Sequence, residues 1–262
     1  MAEHQIRFED GAAYERMMGV WSRLAGDVFL DWLAPRPGLR WVDVGCGNGA
    51  FTELVCDRCA PAAIHGIDPS EGQLAFARTR PAGRIARFRR GDAMALPFPD
   101  NGFDAATMAL VIFFVPDPAK GVAEMARVVA PGGLVAAYAW DMTGGGFPLA
   151  SLQAEMRAMG FDPPLPPSAG ASRLEALREL WLGAGLEAVE TREIAAPRSF
   201  ADFDEFWSTA MLGASMTSVI ASLSPNQRTA LKERVRPHLP PDASGRVTVT
   251  GRANAVKGRV PG

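Results

Sequence analysis

The residues best suited to chemistry form a short glycine turn near residue 45. Arg40-Trp-Val-Asp-Val leads into Gly45-Cys-Gly-Asn-Gly and then into a helix-like stretch. A strand that feeds a glycine turn at a helix N-terminus is the context in which such a turn binds a ligand. Gly45 and Gly47 would let a ligand lie against the backbone, and Gly49 would let the next helix pack closely on its strand. The turn therefore predicts a site for a nucleotide-like ligand.

Two carboxylates follow later strand-like segments in the order that such a ligand needs. Asp68, in Gly-Ile-Asp-Pro-Ser, comes about 20 residues after the turn, where a carboxylate binds ribose hydroxyls. Asp92, in Arg-Gly-Asp-Ala-Met, follows the next candidate strand and can accept a hydrogen bond from an adenine amino group. If these were ordinary turn residues of an unrelated α/β protein, their order would be accidental. Together the three features predict an adenosyl ligand.

The elements that must position these residues alternate between strand and helix. An N-terminal helix is predicted over Tyr14–Leu33 from its apolar spacing. The predicted strands that follow are Arg40–Val44, Ala62–Ile67, Ile85–Arg89, Phe103–Leu110 and Gly133–Trp140. The predicted helices between them are Ala50–Cys59, Ser70–Thr79 and Pro118–Val129, the last with Asp117 as its N-cap. This alternation predicts βαβ units and a mostly parallel sheet.

The pattern loosens after Trp140. Leu186–Ile194 and Arg246–Val256 predict a sixth and a seventh strand, and Phe200–Pro237 is predicted to be wholly helical. Two capping boxes are predicted, Ser172 with Glu175 in a helix that Gly185 closes, and Ser224 with Gln227. The helical block therefore forms a cap inserted before the last strand.

Length and composition fit one soluble globular domain. The chain has 262 residues, of which 48% are hydrophobic and 21% are charged. Its net charge of -2 gives no basic footprint for nucleic acid, and the longest apolar run, Ala105–Val115, is too short to span a bilayer. No secretory segment is evident, and the three cysteines (Cys46, Cys56, Cys59) form no spaced framework, which favours a reducing, cytoplasmic setting. We expect a single domain over 1–262, with an N-terminal helical segment 1–37, a cofactor-binding core 38–141 and a helical cap 198–240.

Several motifs resemble those of one enzyme family. Residues 42–49 are similar to its first motif, and residues 66–70 and 91–98 to its second and third. Residues 103–118 and 124–133 resemble its fourth strand, the loop after it and the turn before the fifth, and residues 253–259 resemble its final strand. On these motifs the chain resembles the class I S-adenosylmethionine-dependent methyltransferases, of the small-molecule, ubiquinone-biosynthesis-like type (methyltransferase type 11).

The resemblance implies a Rossmann-like α/β fold with a seven-stranded, mostly parallel sheet, an antiparallel last strand and helices on both faces. It implies S-adenosylmethionine as cofactor, with the methionine moiety along the glycine turn, the ribose on Asp68 and the adenine near Asp92. The cofactor-binding residues that it implies are Tyr14, Gly45, Cys46, Gly47, Asp68, Pro69, Gln73, Asp92, Ala93, Met94 and Ala109. Where many relatives have histidines after the fourth strand, this chain has Ile112-Phe-Phe, so no catalytic residue is carried over.

The acceptor side offers fewer signals. Trp140 and Asp141 end the fifth strand on the edge that carries the glycine turn, where sites in open α/β sheets form. Phe206, Trp207 and Met211 form an apolar stripe in the cap. Each of these is either ordinary packing or part of a pocket for an apolar acceptor, and the sequence leaves both readings open.

No catalytic base or metal site is predicted. His4, His65 and His238 are interpreted as structural or exposed. Cys56 and Cys59 are interpreted as small packed residues, because no second pair of ligands accompanies them.

Three functions compete. The first is methyl transfer to oxygen, carbon or nitrogen of a small-molecule acceptor. The second is a non-catalytic S-adenosylmethionine-binding module, which an intact binding motif does not exclude. The third is a nicotinamide-dependent oxidoreductase, which would need Gly-x-Gly-x-x-Gly where this chain has Gly-x-Gly-x-Gly. No nucleic-acid partner is expected, and the sequence leaves a homodimer open.

Overall fold

The computed structural model describes residues 15–212 and 217–262. Its strands form one seven-stranded sheet in the order β3-β2-β1-β4-β5-β7-β6. The strands are β1 Arg40–Val44, β2 Ala63–Asp68, β3 Ala86–Arg90, β4 Phe103–Ala109, β5 Val129–Trp140, β6 Glu187–Phe200 and β7 Val247–Arg259. The first five strands pair in parallel, and β7 is antiparallel to both β5 and β6. The predicted fold class is therefore confirmed.

Helices connect the strands much as the sequence predicts. They are α1 Val20–Leu33, α2 Ala50–Cys59, α3 Glu71–Thr79, α4 Pro118–Val128, α5 Ala150–Ala158, α6 Leu174–Gly183, α7 Phe203–Ala210, α8 Thr217–Ser222 and α9 Pro225–Val235. A π-helical turn, Glu15–Gly19, precedes α1. The start of the N-terminal helix predicted at Tyr14 lies outside the described residues. No helix in the described ranges is both long and apolar enough to cross a bilayer.

Helices cover both faces of the sheet. Tyr138 on β5 packs against Phe29 of α1 and Phe51 of α2, with ring centroids 4.7 and 5.7 Å away. Trp181 of α6 instead donates from Nε1 to the Val135 carbonyl at 2.9 Å. A Cβ at Gly258, which pairs with Val135, would lie 3.0 Å from Trp181, so Trp181 lies on the face to which Val135 points. Because side chains alternate along a strand, Tyr138 points to the opposite face. Thus α1 and α2 cover one face and α6 the other, with the apolar core on both sides of β5.

The sixth strand is longer than predicted and rises beyond the end of β5. Trp140, the last residue of β5, pairs with Ala253 of β7, and Ala253 also pairs with Ile194 of β6. The two antiparallel strands continue past this point to the pair of Phe200 with Val247. The predicted strand ended at Ile194, whereas the observed strand continues through Pro197, which is a typical strand breaker. β6 is the edge strand, however, and an edge position tolerates a residue without an N–H.

Two predictions after residue 170 are wrong in detail. Ser172 does not cap α6, because its hydroxyl donates to the Ala169 carbonyl at 2.7 Å and accepts from the Met142 N–H at 3.1 Å. The helix begins at Leu174, one residue later than predicted, and its N-cap Arg173 makes no side-chain hydrogen bond to the helix. The segment predicted as wholly helical from Phe200 instead contains α7, α8 and α9 separated by non-helical residues.

Caps that depend on neighbouring residues are confirmed. Asp117 accepts from the Lys120 N–H at 3.1 Å, and Ser224 forms the predicted capping box with Gln227. The helices α7 to α9 lie between β6 and β7, as expected for a cap inserted before the last strand. The domain limits given above stay predictions.

Candidate functional site

The glycine turn connects β1 to α2 at the carboxyl edge of the sheet. The N–H groups of Gly45 and Cys46 both donate to the Ile67 carbonyl on β2, at 2.7 and 3.0 Å. Gly45, Gly47 and Gly49 all have positive φ, at 76°, 52° and 79°. A side chain is strained in this backbone region, which explains why the turn needs glycine.

The three glycines differ in what a side chain would meet. A Cβ at Gly45 would lie 2.4 Å from Val111, so this glycine makes room for a protein side chain rather than for a ligand. A Cβ at Gly49 would lie 3.0 Å from Ala77 of α3, so it permits close packing by α3 rather than by its own strand. At Gly47 no atom of residues 15–212 and 217–262 lies within 4 Å of such a Cβ. Gly47 is therefore the position of the three where a ligand can approach the backbone.

Val111 reaches Gly45 through an unusual turn at the end of β4. Leu110 has φ 62°, a left-handed conformation that is rare for a branched side chain, and its N–H donates to the Tyr138 carbonyl at 2.8 Å. Such local strain clusters at functional edges. The predicted contact Ala109 is the last residue of β4, just before this turn.

Asp68 joins the end of β2 to the glycine turn. Its Oδ2 accepts from the Gly47 N–H at 2.9 Å, and its Oδ1 accepts from the Ser70 N–H at 2.8 Å. Burial raises the pKa of Asp68, while these two backbone hydrogen bonds act to lower it. Since a carboxylate offers about four acceptor positions, it keeps capacity for ribose hydroxyls. The predicted neighbours Pro69 and Gln73 follow at once, Pro69 exposed and Gln73 buried in the first turn of α3.

Asp92 lies beside Asp68 along the same edge. The Gly91 N–H donates to the Asp68 carbonyl at 3.1 Å, which attaches the end of β3 to the end of β2. The Asp92 side chain is exposed and accepts from the Met94 N–H at 2.8 Å through Oδ1. Ala93 and Met94 are half-buried in this turn. The structure thus brings the three predicted strand-end features together in sequence order.

Cys46 offers its backbone, and not its buried thiol, to the candidate site. A Cβ at Gly66 would lie 2.8 Å from Cys46 Sγ, so the thiol packs into the sheet against β2. Burial is the main reason that the pKa of this thiol is raised well above its ordinary value. Tyr14, predicted to close over the ligand, lies outside the described residues.

The sequence analysis missed Asp43. This carboxylate, on β1, is fully buried and accepts from the Thr52 hydroxyl of α2 at 2.6 Å. Burial is the main reason that the pKa of Asp43 is raised to about 7. The Thr52 hydrogen bond acts to lower this pKa, and the nearby charge of Asp68 acts to raise it. The sequence feature that could have revealed Asp43 is a carboxylate between apolar residues of a buried strand. Asp43 ties the strand before the glycine turn to the helix after it.

Trp140 and Asp141 lie at the end of β5 but differ in environment. Trp140 is buried and packs edge-to-face on Trp21 of α1, with centroids 6.0 Å apart. No acceptor in the described ranges lies within hydrogen-bonding distance of its Nε1. Asp141 accepts from the Gly144 N–H at 2.8 Å and pairs with Arg252 at 2.9 Å. Asp141 therefore closes its own loop, which agrees with an ordinary structural role rather than with a place in an acceptor pocket.

The aromatic residues of the cap pack mainly on one another. Phe206 is buried, with Phe200 and Phe203 at centroid distances of 5.5 and 5.9 Å. Trp207 stacks on Phe203 at 6.4 Å. Trp207 also lines an open cavity of about 380 Å³, with Leu223, Pro225, Arg228, Thr229 and Lys232 as its other walls. Met211 is half-buried just after α7.

The described histidines have structural environments. His65, within β2, packs edge-on to Phe98 and Phe103, and burial lowers its pKa. His238 Nε2 lies 2.8 Å from Glu155 on the surface of the cap. His4 lies outside the described residues. Cys46, Cys56 and Cys59 are free thiols, and no group of three His, Cys, Asp or Glu within 15–212 and 217–262 is arranged to hold a metal ion.

Comparison with known proteins points to one family. Residues 42–137 match the model of the family described as "Methyltransferase domain". A demethylmenaquinone methyltransferase of Desulfitobacterium hafniense is 44% identical over 105 residues, which are 38% of this chain and 42% of that protein. This chain thus spans about half or less of the length of the curated relatives it matches.

Two solved structures share the fold over most of the chain. The YcgJ protein of Bacillus subtilis has a TM-score of 0.61 at 18% identity, covering 91% of this chain and 98% of that one. Phosphoethanolamine N-methyltransferase 2 of Haemonchus contortus, in complex with phosphomonomethylethanolamine and S-adenosylhomocysteine, has a TM-score of 0.58 at 19% identity. That match covers 95% of this chain and 57% of the other. At these identities the likeness concerns the fold.

Proposed function

We propose that this chain, in which residues 42–137 match the model of a methyltransferase domain, transfers a methyl group from S-adenosylmethionine to a small-molecule acceptor. One observation carries the proposal. The Asp68 carboxylate at the end of β2 fixes the N–H of Gly47, the residue of the turn whose backbone is open to a ligand. The ligand-binding carboxylate and the open backbone are therefore parts of one unit.

The residues present fit the cofactor. The open face of Gly47 leaves room for the methionine moiety beside the backbone of Gly45 and Cys46. Asp68 retains acceptor positions for the ribose hydroxyls, and Asp92 presents an exposed carboxylate for the adenine amino group. Pro69, Gln73, Ala93, Met94 and Ala109 would complete the walls of this pocket. When bound, the cofactor supplies a methyl group already activated by the sulfonium charge.

The protein has then to orient the acceptor and to exclude water. Orientation of this kind contributes about 7–11 kcal/mol to lowering a barrier. The methyl acceptor would lie at the carboxyl end of β5. There the buried indole N–H of Trp140 has no hydrogen-bond partner among the described residues. Buried polar groups normally have a partner, which supports an acceptor oxygen as the partner of this N–H. The neighbouring Trp21 ring supports an apolar, aromatic acceptor.

The cap is the proposed second wall of the acceptor pocket. Phe206, Trp207 and Met211 supply apolar surface there, although Phe206 is mostly occupied by its own neighbours. A quinone-type acceptor belongs to this chemical class, and the D. hafniense relative is named for one. Whether oxygen, carbon or nitrogen receives the methyl group is left to experiment.

Ligand-dependent thermal stability tests the cofactor. A ligand that binds only the native state, at about 100 times its dissociation constant, stabilises it by about 2.7 kcal/mol. We expect a clear increase in Tm with S-adenosylhomocysteine and none with NAD, and the opposite result would favour the oxidoreductase. Asp68→Ala should weaken S-adenosylhomocysteine binding by about 100-fold, through loss of the ribose contacts and of the support for Gly47. An unchanged affinity would remove Asp68 from the site.

Transfer of labelled methyl to a panel of phenols, quinols and amines separates enzyme from binding module. Trp140→Phe keeps an aromatic ring and removes the indole N–H. We expect this variant to bind S-adenosylhomocysteine normally but to have a raised KM for the acceptor. Binding of cofactor without transfer to any acceptor would favour the non-catalytic alternative.

A further inference from the structure

Arg80 lies close to the glycine turn although it is distant from it in sequence. It follows α3, and its side chain is only 9% exposed. Its Nε donates to the Asn48 carbonyl at 2.6 Å, and its Nη1 donates to Glu53 of α2 at 2.9 Å. Its Nη2 pairs with Glu15 of the N-terminal π-helical turn. One guanidinium therefore joins the glycine turn, α2 and the segment before α1.

Asn48 closes this network within the glycine turn. Its Nδ2 donates to Glu15 Oε2 at 2.8 Å, and its Oδ1 accepts from the Ala50 N–H at 3.2 Å. The Glu15 carboxylate is thus held both by Asn48 and by Arg80. This set of side chains, Glu15, Asn48, Glu53 and Arg80, is called the turn clamp below.

Helix α3 holds the turn at both of its ends. Its N-cap, Ser70, is bonded to Asp68, which fixes the Gly47 N–H. Its C-cap is Arg80, which fixes the Asn48 carbonyl. The backbone on either side of the open Gly47 position is therefore held by groups that flank the same helix.

We propose that Arg80 is a positioning residue for cofactor binding, which sets the glycine turn through Asn48 and couples it to the N-terminal turn through Glu15. The proposal rests on the proposed function, because it takes the glycine turn to hold S-adenosylmethionine. Arginine suits this role because its planar fork serves three acceptors in fixed directions, whereas a lysine ammonium acts as a point charge.

A merely structural role would be to neutralise Glu53. Arg23 offers a matched control, because its Nη1 also binds Glu53 Oε2, at 3.0 Å. Within residues 15–212 and 217–262, Arg23 forms ion pairs with Glu53 and Asp57 rather than with the glycine turn or Glu15. If neutralisation of Glu53 were what matters, Arg23→Gln, which removes a positive charge, would weaken binding at least as much as Arg80→Lys, which keeps one.

The test measures the dissociation constant of S-adenosylhomocysteine by calorimetry on the full chain. We expect Arg80→Lys to raise this dissociation constant about tenfold, because the loss of hydrogen bonds to charged groups has an effect of this order. Arg23→Gln should change the dissociation constant by less than about twofold. The free energy of unfolding of each variant is measured in parallel. Equal binding by Arg80→Lys and wild type, or equal weakening by both variants, would overturn the proposal.

A double-mutant cycle tests the coupling to Glu15. Glu15→Gln should weaken binding in the wild-type background and have no further effect in Arg80→Lys, because residues of one network are not additive. Independent effects that simply multiply would contradict the coupling.

Hydrogen exchange separates this proposal from the proposed function. If wild type does not bind S-adenosylhomocysteine, the proposed function fails. The ligand-free proteins then still decide whether the turn clamp orders these segments. Amides of residues 15–19 and 45–49 should exchange faster in Arg80→Lys than in Arg23→Gln, and equal exchange rates would overturn the turn clamp.

Discussion

The carboxyl edge of the sheet is built differently at its two ends. Around β1 to β3, polar groups bond to backbone at neighbouring strand ends, as Asp68 does to Gly47 and Gly91 does to Asp68. Around β5 to β7, large rings from remote segments pack on one another, as Trp21 does on Trp140, beside the loop that Asp141 closes. The first end is a framework of turns, and the second is a packed cluster of large rings.

This difference explains why the sequence predicts the first end better than the second. A turn of fixed backbone shape needs particular residues at particular positions, so its chemistry is visible in a short segment. A packed cluster can be built from many combinations of rings, so its members carry no fixed spacing. The matched family region, residues 42–137, accordingly ends just before Trp140.

Truncation of Phe206 in the cap should lower the stability of the protein more than the other substitutions considered. Phe206→Ala should lower the free energy of unfolding by about 3–5 kcal/mol, because it leaves a cavity among packed rings. Affinity for S-adenosylhomocysteine should stay within about twofold of wild type, because Phe206 contacts the cap rather than the glycine turn. Urea unfolding and calorimetry provide the two measurements.

Leu182→Ala is the control for Phe206→Ala. Leu182 is 51% exposed, so its truncation should change stability by less than about 0.5 kcal/mol. A Phe206→Ala protein as stable as wild type would mean that the cap rings are not packed as described. A parallel loss of cofactor affinity would mean that the two ends of the edge are coupled.

Several local signals in the sequence are confirmed by the structure, and one is not. Helix α2 has the bounds that were predicted for it, and Asp117 and Ser224 cap their helices because each bonds to an N–H three residues away. Ser172 has the same sequence signature, but its hydroxyl bonds to Met142 and Ala169 instead. A buried tertiary partner therefore overrode a local preference that the sequence alone could show.

The site was predictable where backbone geometry sets it. The order of Gly47, Asp68 and Asp92 along one edge follows from parallel strands. The role of Gly45 was not predictable, because it depends on Val111, which the left-handed Leu110 brings across from β4. Asp43 and Arg80 were missed for a similar reason, since their partners lie on other elements.

Asp43, buried just before the glycine turn, should make stability depend on pH. The pKa of Asp43 is raised from 3.8 to about 7, so the native state keeps this proton while the unfolded chain loses it. Its contribution to stability is therefore fully present below about pH 4 and is lost as the pH rises toward 7. Relative to Asp43→Asn, wild type should lose about 2–3 kcal/mol of unfolding free energy between about pH 5 and pH 8.

Urea unfolding of both proteins across this pH range is the measurement. Asn keeps a carbonyl oxygen for the Thr52 hydroxyl and removes the titrating group, so the difference between the two curves isolates Asp43. Parallel curves would show that Asp43 titrates alike in the folded and unfolded protein. Asp204, an exposed carboxylate of the cap, supplies a matched control, since Asp204→Asn should not reproduce the change.

Alanine substitutions at two glycines of the glycine turn should differ in their effect on the free energy of unfolding. Gly47→Ala should lower the free energy of unfolding by about 1 kcal/mol, the usual cost of a side chain at positive φ. Gly45→Ala should cost more than Gly47→Ala, because its Cβ also meets Val111 at 2.4 Å.

Binding should rank the two variants in the opposite order once stability is taken into account. A methyl group at Gly47 enters the space proposed for the cofactor, so Gly47→Ala should weaken S-adenosylhomocysteine binding while the protein stays folded. In Gly45→Ala with Val111→Ala, the clash is relieved, and we expect part of the stability to return. If Gly47→Ala instead binds normally, the open face of Gly47 is not where the ligand lies, and the turn would serve to pack the sheet alone.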